Sequence, residues 1–440
     1  MCKPDIKYYI KELLKIAAPI IMGNLGFILI GIGDVIVAGR HSTDTFAAIS
    51  IANAIINCIL TFGVGLIASI SPLLSNYRGE KKAIKKYFYP SIRFSMILAL
   101  ITCVLIIAAI PVIPKMGFEE KLVPDIQNYM WITAFSTFGA YLHACLKEFL
   151  QAFEIVMFPN IVTIACVFLN VALNVILVFG YGPIPSLGVI GLAIASFLVR
   201  YVMGFALLIY CYINMRFNNY HEKGYYKNLL SIGMPISLAV LVEFIAFNSI
   251  AIFMGRVSGV YAAAQNLVCS LTTISFMIPF AISNAIAVKV GFSNGAGNVQ
   301  DLKKYSMVGV LMSVGFMLFS AIVFSTFPRA IVGIFTVDDN LFKISIPIMY
   351  ILSIFQVFDG LQIALAGICK GIKQTNIVLL ANFIAYWCIS VPIGYTLAFK
   401  YNLQLIGFWI GLVLSAIVLC AIMLFKLKRY EVLHYEKQEP

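Results

Sequence analysis

Two stretches decide the fold: residues 18–39, APIIMGNLGFILIGIGDVIVAG, and residues 234–255, MPISLAVLVEFIAFNSIAIFMG. Each carries a proline in second place and closes on a glycine, and they stand 216 positions apart. As helices rising about 1.5 Å per residue, both are long enough to cross the ~30 Å hydrocarbon core of a bilayer. Applied to the rest of the chain without a gap, the same offset lays Lys11 on Lys227, Ala47 and Ala48 on Ala263 and Ala264, Gly79 on Gly295, Asn160-Ile161-Val162 on Asn376-Ile377-Val378, and Gly191 on Gly407. A fixed period of this kind marks two copies of one structural unit.

Working outward, the 440 residues are 61% hydrophobic and 11% charged. Soluble globular domains carry about 25% charged residues, so that class is excluded. Twelve apolar runs of membrane length follow one another at 16–38, 46–72, 90–113, 126–147, 158–180, 188–213, 231–255, 261–288, 305–327, 345–368, 376–398 and 404–425. The expected fold is an all-α integral membrane protein with twelve transmembrane helices in two pseudo-symmetric six-helix lobes. Residues 1–215 form the first lobe, with a short interfacial helix before its spans, and residues 216–440 the second, with a cytoplasmic tail. Six spans per copy is an even number, so both copies enter the membrane in the same sense, related by an axis along its normal. Two like lobes of this kind suit alternating access.

The net charge of +12 does not point to nucleic acid, because of where it sits. With the N-terminus inside, the termini and even-numbered loops hold 22 of the 31 Lys and Arg. This positive-inside bias places both termini in the cytoplasm of a multi-pass protein of the cell membrane. Residues 1–15 have a basic start but lead into a full-length span without a cleavage site, and read as retained. There Ile6, Tyr9, Ile10, Leu13 and Leu14 keep helical spacing among Lys3, Lys7, Lys11 and Lys15, as in a helix lying on an anionic leaflet. The ten cysteines are scattered, with no Cys-x-x-Cys or histidine at ligand spacing, so no metal and no cofactor is expected. Prolines that kink spans recur at Pro19 and its mate Pro235, at Pro279 and at Pro392.

The charges do not share the repeat. Of nineteen acidic residues only Asp34, Glu243 and Asp359 lie well inside spans, and they fall opposite Ile250, Phe27 and His143. An ionised group at mid-bilayer costs about 2.5–3.5 kcal/mol on insertion scales, so each needs a cavity, a partner or a proton. Such acids suit the exchange of a proton or Na⁺ for a cationic substrate. Arg200 is the one basic residue near mid-span, with no partner evident in the sequence. Asn170 and Asn174, at i and i+4, share one helix face. Beside Asp34, with Ser196 nearby, they make a hard-cation or proton-relay site. Their repeat mates are Tyr386 and Ser390. In the second lobe Gln265, Asn266, Asn284 and Asn248 are candidate cavity residues, or else helix–helix hydrogen bonders. Abundant aromatics and methionines suit a cavity for flat, apolar cations.

Taken together these segments resemble the multidrug and toxic compound extrusion (MATE) transporters. The likeness rests on Ala18-Pro19-Ile20 through Gly33-Asp34-Val35, Met234-Pro235 through Glu243, Ala262-Ala263-Ala264-Gln265, Pro279-Phe280-Ala281-Ile282-Ser283-Asn284, Val290-Gly291, Gly295-Ala296-Gly297, and Phe358-Asp359-Gly360 with Ala366-Gly367-Ile368. It covers nearly the whole chain and is most similar to the NorM branch, which carries acids in both the seventh and tenth helices. The resemblance implies a monomeric exporter of cationic or amphiphilic organic compounds in exchange for Na⁺ or H⁺. It assigns Asp34, Asn170 and Asn174 to a first-lobe cation site, Glu243 and Asp359 to a second-lobe pair, and Pro19 to a hinge. Transient Na⁺ would sit at Asp34 or at Glu243 and Asp359. Where the branch has a tyrosine four residues before the second-lobe aspartate, this chain has Phe355. A lipid-linked oligosaccharide flippase of the same superfamily would need basic residues in its cavity. An intramembrane enzyme would need a catalytic cluster around His143.

Overall fold

The computed structural model describes residues 5–183, 185–215, 217, 224–336 and 338–435. Lys3, Arg216, Lys223 and Lys437, counted above with the inside charges, lie outside the described residues. Every long element is helical: α1 (Ile6–His41), α2 (Thr43–Ile67), α3 (Ile70–Gly79), α4 (Phe88–Ala109), α5 (Val123–Ala152), α6 (Met157–Phe179), α7 (Gly188–Asn214), α8 (Tyr225–Val257), α9 (Gly259–Gly295), α10 (Val299–Thr326), α11 (Pro328–Phe335), α12 (Asp339–Gly371), α13 (Thr375–Phe383), α14 (Val391–Tyr395) and α15 (Gln404–Tyr435).

The 216-residue period governs the backbone closely. α1 and α8 end at matched positions, α2 and α9 start at matched positions, and so do α5 and α12 and α7 and α15. Ser42 and Ser258 are repeat mates in the same extended conformation, and each caps the following helix by accepting a backbone N–H, from Thr45 and Val260 respectively. A capping hydroxyl satisfies one of the donors that a helix start leaves open. Lys81 (φ 59°) and Gly297 (φ 67°) are mates too, both left-handed at the turn that closes α3 and α9.

Eleven of the twelve expected spans are long and apolar enough to cross a membrane among the described residues. The twelfth, 126–147, is α5. Its 30 residues suffice in length, but it has Asp125, Lys147 and Glu148 near its ends and a buried polar stripe, Tyr129, Thr133, Ser136, Thr137 and Tyr141. Residues at these spacings share one helix face. The stripe faces protein rather than lipid: Tyr141 Oη bonds Thr102 Oγ1 at 3.0 Å and Leu60 O at 3.2 Å.

Pro19, Pro235, Pro279 and Pro347 lie inside helices. Pro392 is handled differently, standing between two π-helical segments, Ile384–Ser390 and Thr396–Lys400. Wide turns of this kind absorb an irregular backbone and recur at functional sites.

The chain forms two compact units. The N-unit is Ala18–Ser237, and the C-unit joins the described residues up to Ala17 with those from Leu238 onward. Each has six long helices. The units therefore differ from the halves 1–215 and 216–440 by a reciprocal exchange of helix starts, because α1 and α8 each begin in one unit and continue in the other. In the C-unit the start of α1 buries Tyr9, Leu13, Ile16 and Ala17. Glu12 pairs with the buried Lys289 at 2.6 Å, and Tyr9 Oη donates to Asp301 at 2.7 Å. In the N-unit the start of α8 buries Tyr225, Leu229 and Ile232. It is held by neutral bonds, Tyr225 Oη to Ser91 Oγ at 2.7 Å and Asn228 Nδ2 to Tyr77 Oη at 2.9 Å.

Candidate functional site

In the N-unit, the glycine before Asp34 lets α1 lie close to α6: a Cβ on Gly33 would stand 3.3 Å from Val171 Cγ2. Asp34 is thereby brought against the amide face of α6. Asn174 Nδ2 donates to Asp34 Oδ1 at 2.6 Å and to Asn170 Oδ1 at 3.1 Å. From α7, Ser196 Oγ donates to Asp34 Oδ2 at 3.3 Å. Both asparagines are 0% exposed, and Asn170 Nδ2 and Asn174 Oδ1 have no hydrogen-bond partner among the described residues. Buried polar atoms without partners are rare and mark places where a ligand or water completes the set. The site thus holds one carboxylate, neutral oxygens and a hydroxyl, a donor set for a proton or a small hard cation.

One turn beyond Ser196 on α7 stands Arg200. Its Nη1 donates to Ser136 Oγ of α5 at 2.7 Å. It lies within electrostatic reach of Asp34, yet no ion pair joins the two among the described residues. Tyr129, also within the field of Asp34, donates to Asn53 Oδ1 at 3.2 Å.

The C-unit builds its cluster differently. Glu243 on α8 accepts a hydrogen bond from Tyr386 Oη at 3.0 Å, and Gln362 Nε2 donates to the same hydroxyl at 3.3 Å. Tyr386 comes from the π-helical segment before Pro392. Asp359 is 2% exposed, one turn before Gln362 on α12, and no hydrogen bond holds it among the described residues. It feels the like charge of Glu243, while Lys370 at the end of α12 is the basic group whose field reaches Glu243. Phe355, fully buried, meets Trp409 edge-on with centroids 5.7 Å apart, and Phe247 at 6.3 Å.

A family model described as MatE matches this chain twice, over residues 19–176 and 235–396, beginning at the mate prolines Pro19 and Pro235. The chain belongs to the MatE family. It is 25% identical to a probable multidrug resistance protein NorM of Bacillus subtilis (strain 168), covering 98% of this chain and 97% of that protein. It is also 25% identical to the multidrug resistance protein NorM of Aliivibrio fischeri, over 92% and 91%. Among solved structures, the eukaryotic MATE transporter AtDTX14 superposes with a TM-score of 0.86 at 19% identity, covering 96% of each chain. A MOP superfamily transporter from Pyrococcus furiosus superposes at 0.88 with 18% identity, again over 96% of each.

Within this MatE fold the sequence-derived residues separate. Asp34, Asn170, Asn174 and Ser196 converge. Glu243 and Tyr386 are bonded, with Asp359 near them. The other amides do not join that cluster. Gln265 is buried as a packing link, accepting from Trp409 Nε1 at 3.0 Å and donating to Cys269 Sγ at 3.2 Å. Asn266 and Asn248 are exposed, Asn248 returning its Nδ2 to Phe244 O at 2.7 Å, and Asn284 is half-buried; none is bonded to Glu243 or Asp359. Among the described residues the hydrogen bond of the His143 ring is to Thr163 Oγ1, at 3.5 Å. Sequence reasoning missed Gln362, Ser136, Tyr129 and Asn53. The signal available was the polar stripe of α5 and the i, i+3 spacing of Asp359 and Gln362.

Proposed function

We propose that this MatE-family chain is a secondary antiporter that exports cationic or amphiphilic organic compounds in exchange for H⁺ or Na⁺. The observation that carries the reading is Asp34 held within a membrane-length helix by Asn174 and Ser196. A carboxylate placed there, with unpartnered amide atoms around it, is costly unless it works as an exchange site. Glu243 and Asp359 supply a second exchange site. A proton or Na⁺ arriving from outside occupies the carboxylates, weakens the hold on the organic cation and favours its release. A substrate molecule from the cytoplasm then displaces the inorganic ion. The multidrug resistance names of the relatives support this substrate class, and cell-membrane location with cytoplasmic termini, as a monomer, completes the proposal.

The test is dye transport in everted membrane vesicles driven by an imposed pH gradient or an imposed Na⁺ gradient. Asp34→Asn and Asp359→Asn are each expected to abolish ethidium transport while inserting at normal levels. Retained transport in both variants sinks the proposal.

A further inference from the structure

Arg200 is a half-buried charge within a span that this exchange scheme does not use. It sits one turn from Ser196 on α7, in a region where α5 and α7 touch backbone to backbone. A Cβ on Gly139 would stand 2.8 Å from the Tyr201 nitrogen and 2.9 Å from the Arg200 carbonyl carbon. Gly204 lies on the same contact, where a Cβ would stand 3.1 Å from the Gly139 carbonyl oxygen. Such close approach through small residues is how membrane helices are locked together. It fixes the base of the Arg200 side chain, and Ser136 fixes its end at 2.7 Å. The guanidinium is thus tethered by a neutral hydroxyl, and Asp34 is tethered by an amide and a hydroxyl of its own. The two opposite charges share one polar region without being spent on each other.

This arrangement is unlike a structural ion pair. A buried pair of contacting ions spends its mutual attraction against its own desolvation, which can exceed the gain. Here the guanidinium acts on the carboxylate through its field without bonding it. Among the described residues the Asp34 oxygens accept from the neutral Asn174 and Ser196, so that no fixed cation occupies them. We propose that Arg200 is a built-in competitor at the Asp34 site: its fixed positive charge weakens the hold of Asp34 on any transported cation and so drives the cation's release. The inference rests on the reading of Asp34 as a cation site. Arg200 is here a positioning charge that acts through Asp34, with no contact to the cargo required.

The test measures binding of tetraphenylphosphonium, a monovalent organic cation, to the full-length protein in detergent, alongside efflux in vesicles. Arg200→Gln is expected to tighten binding about tenfold and to slow turnover, a split between affinity and rate. Arg200→Lys, which keeps the charge, should bind as the natural protein does. In an Asp34→Asn background, Arg200→Gln should change binding less than twofold, because contacting or coupled sites alone show non-additivity. Arg200→Met serves as a second neutral variant where Arg200→Gln does not fold. Unchanged or weaker binding in the neutral variants, or the same effect with and without Asp34, overturns the proposal. Equal binding by the natural protein and Asp34→Asn defeats the cation-site reading itself, and the proposal with it.

Discussion

The two units place acids on mate helices, α1 and α8, but surround them with opposite chemistry. In the N-unit a lone Asp34 is held by Asn174 and Ser196, with Arg200 in its field. In the C-unit Glu243 accepts from Tyr386, itself bonded to Gln362, and has Lys370 in its field, while Asp359 stands near with no hydrogen bond to its carboxyl among the described residues. Asn170 and Tyr386 are repeat mates, but Asn170 accepts from Asn174, the amide that holds Asp34, whereas Tyr386 bonds Glu243 directly. Duplication has preserved the frame and exchanged the charge. One acid with a resident cation is balanced when empty, whereas two acids are not, and this predicts that the units differ in how strongly they demand a bound cation.

The comparison breaks most visibly if one acid proves dispensable. Asp34→Asn or Asp359→Asn should each reduce efflux by at least ~100-fold, consistent with loss of a group acting in every cycle. Full activity in either variant would show that only one unit works. Asn174→Asp sharpens the contrast by giving the N-unit a second carboxylate. It should tighten tetraphenylphosphonium binding by about tenfold, or ~1.4 kcal/mol, as read by calorimetric titration. Tyr386→Phe removes one hydrogen bond to Glu243, worth about 0.5–1.5 kcal/mol. The expected result is an efflux rate lowered roughly three- to tenfold with normal insertion. The smallest effects concern the shared frame: Ser42→Ala and Ser258→Ala should each cost about 1 kcal/mol. Matching falls in melting midpoint would confirm that the caps are equivalent, and unequal falls would show that the frame has diverged as well.

Much of this was legible in the sequence. Membrane length, the repeat and the i, i+4 pair Asn170 and Asn174 follow from spacing alone. What stayed hidden depends on contacts between distant helices. Tyr386 reaches Glu243 across 143 residues, and nothing in the run IAYWCIS announces a π-helical turn aimed at a carboxylate. Arg200 looked partnerless because its partner is Ser136, an ordinary hydroxyl in a helix whose polarity gives it a weak span signal. Phe355 leaves a place without oxygen, and the hydroxyl in this cluster comes from another helix. The exchange of helix starts was equally silent, since α1 and α8 are unbroken in sequence and structure.

That exchange has a consequence for assembly. The first turns of α1 bury Tyr9, Leu13 and Ile16 against elements made some 280 residues later. During synthesis that strip must wait until the second half emerges, because its partners are not yet made: Lys289, Asp301, and Tyr305, whose ring meets Tyr9 edge-on at 4.8 Å between centroids. Cut between the halves, the two pieces would each expose an orphaned apolar strip and lack the one their own bundle needs. Co-produced fragments 1–215 and 216–440 are therefore expected to insert and reconstitute as a pair, whereas either alone is expected to be degraded. The exchanged starts make the duplicated protein a single gene product in a physical sense, because neither copy is complete without the other.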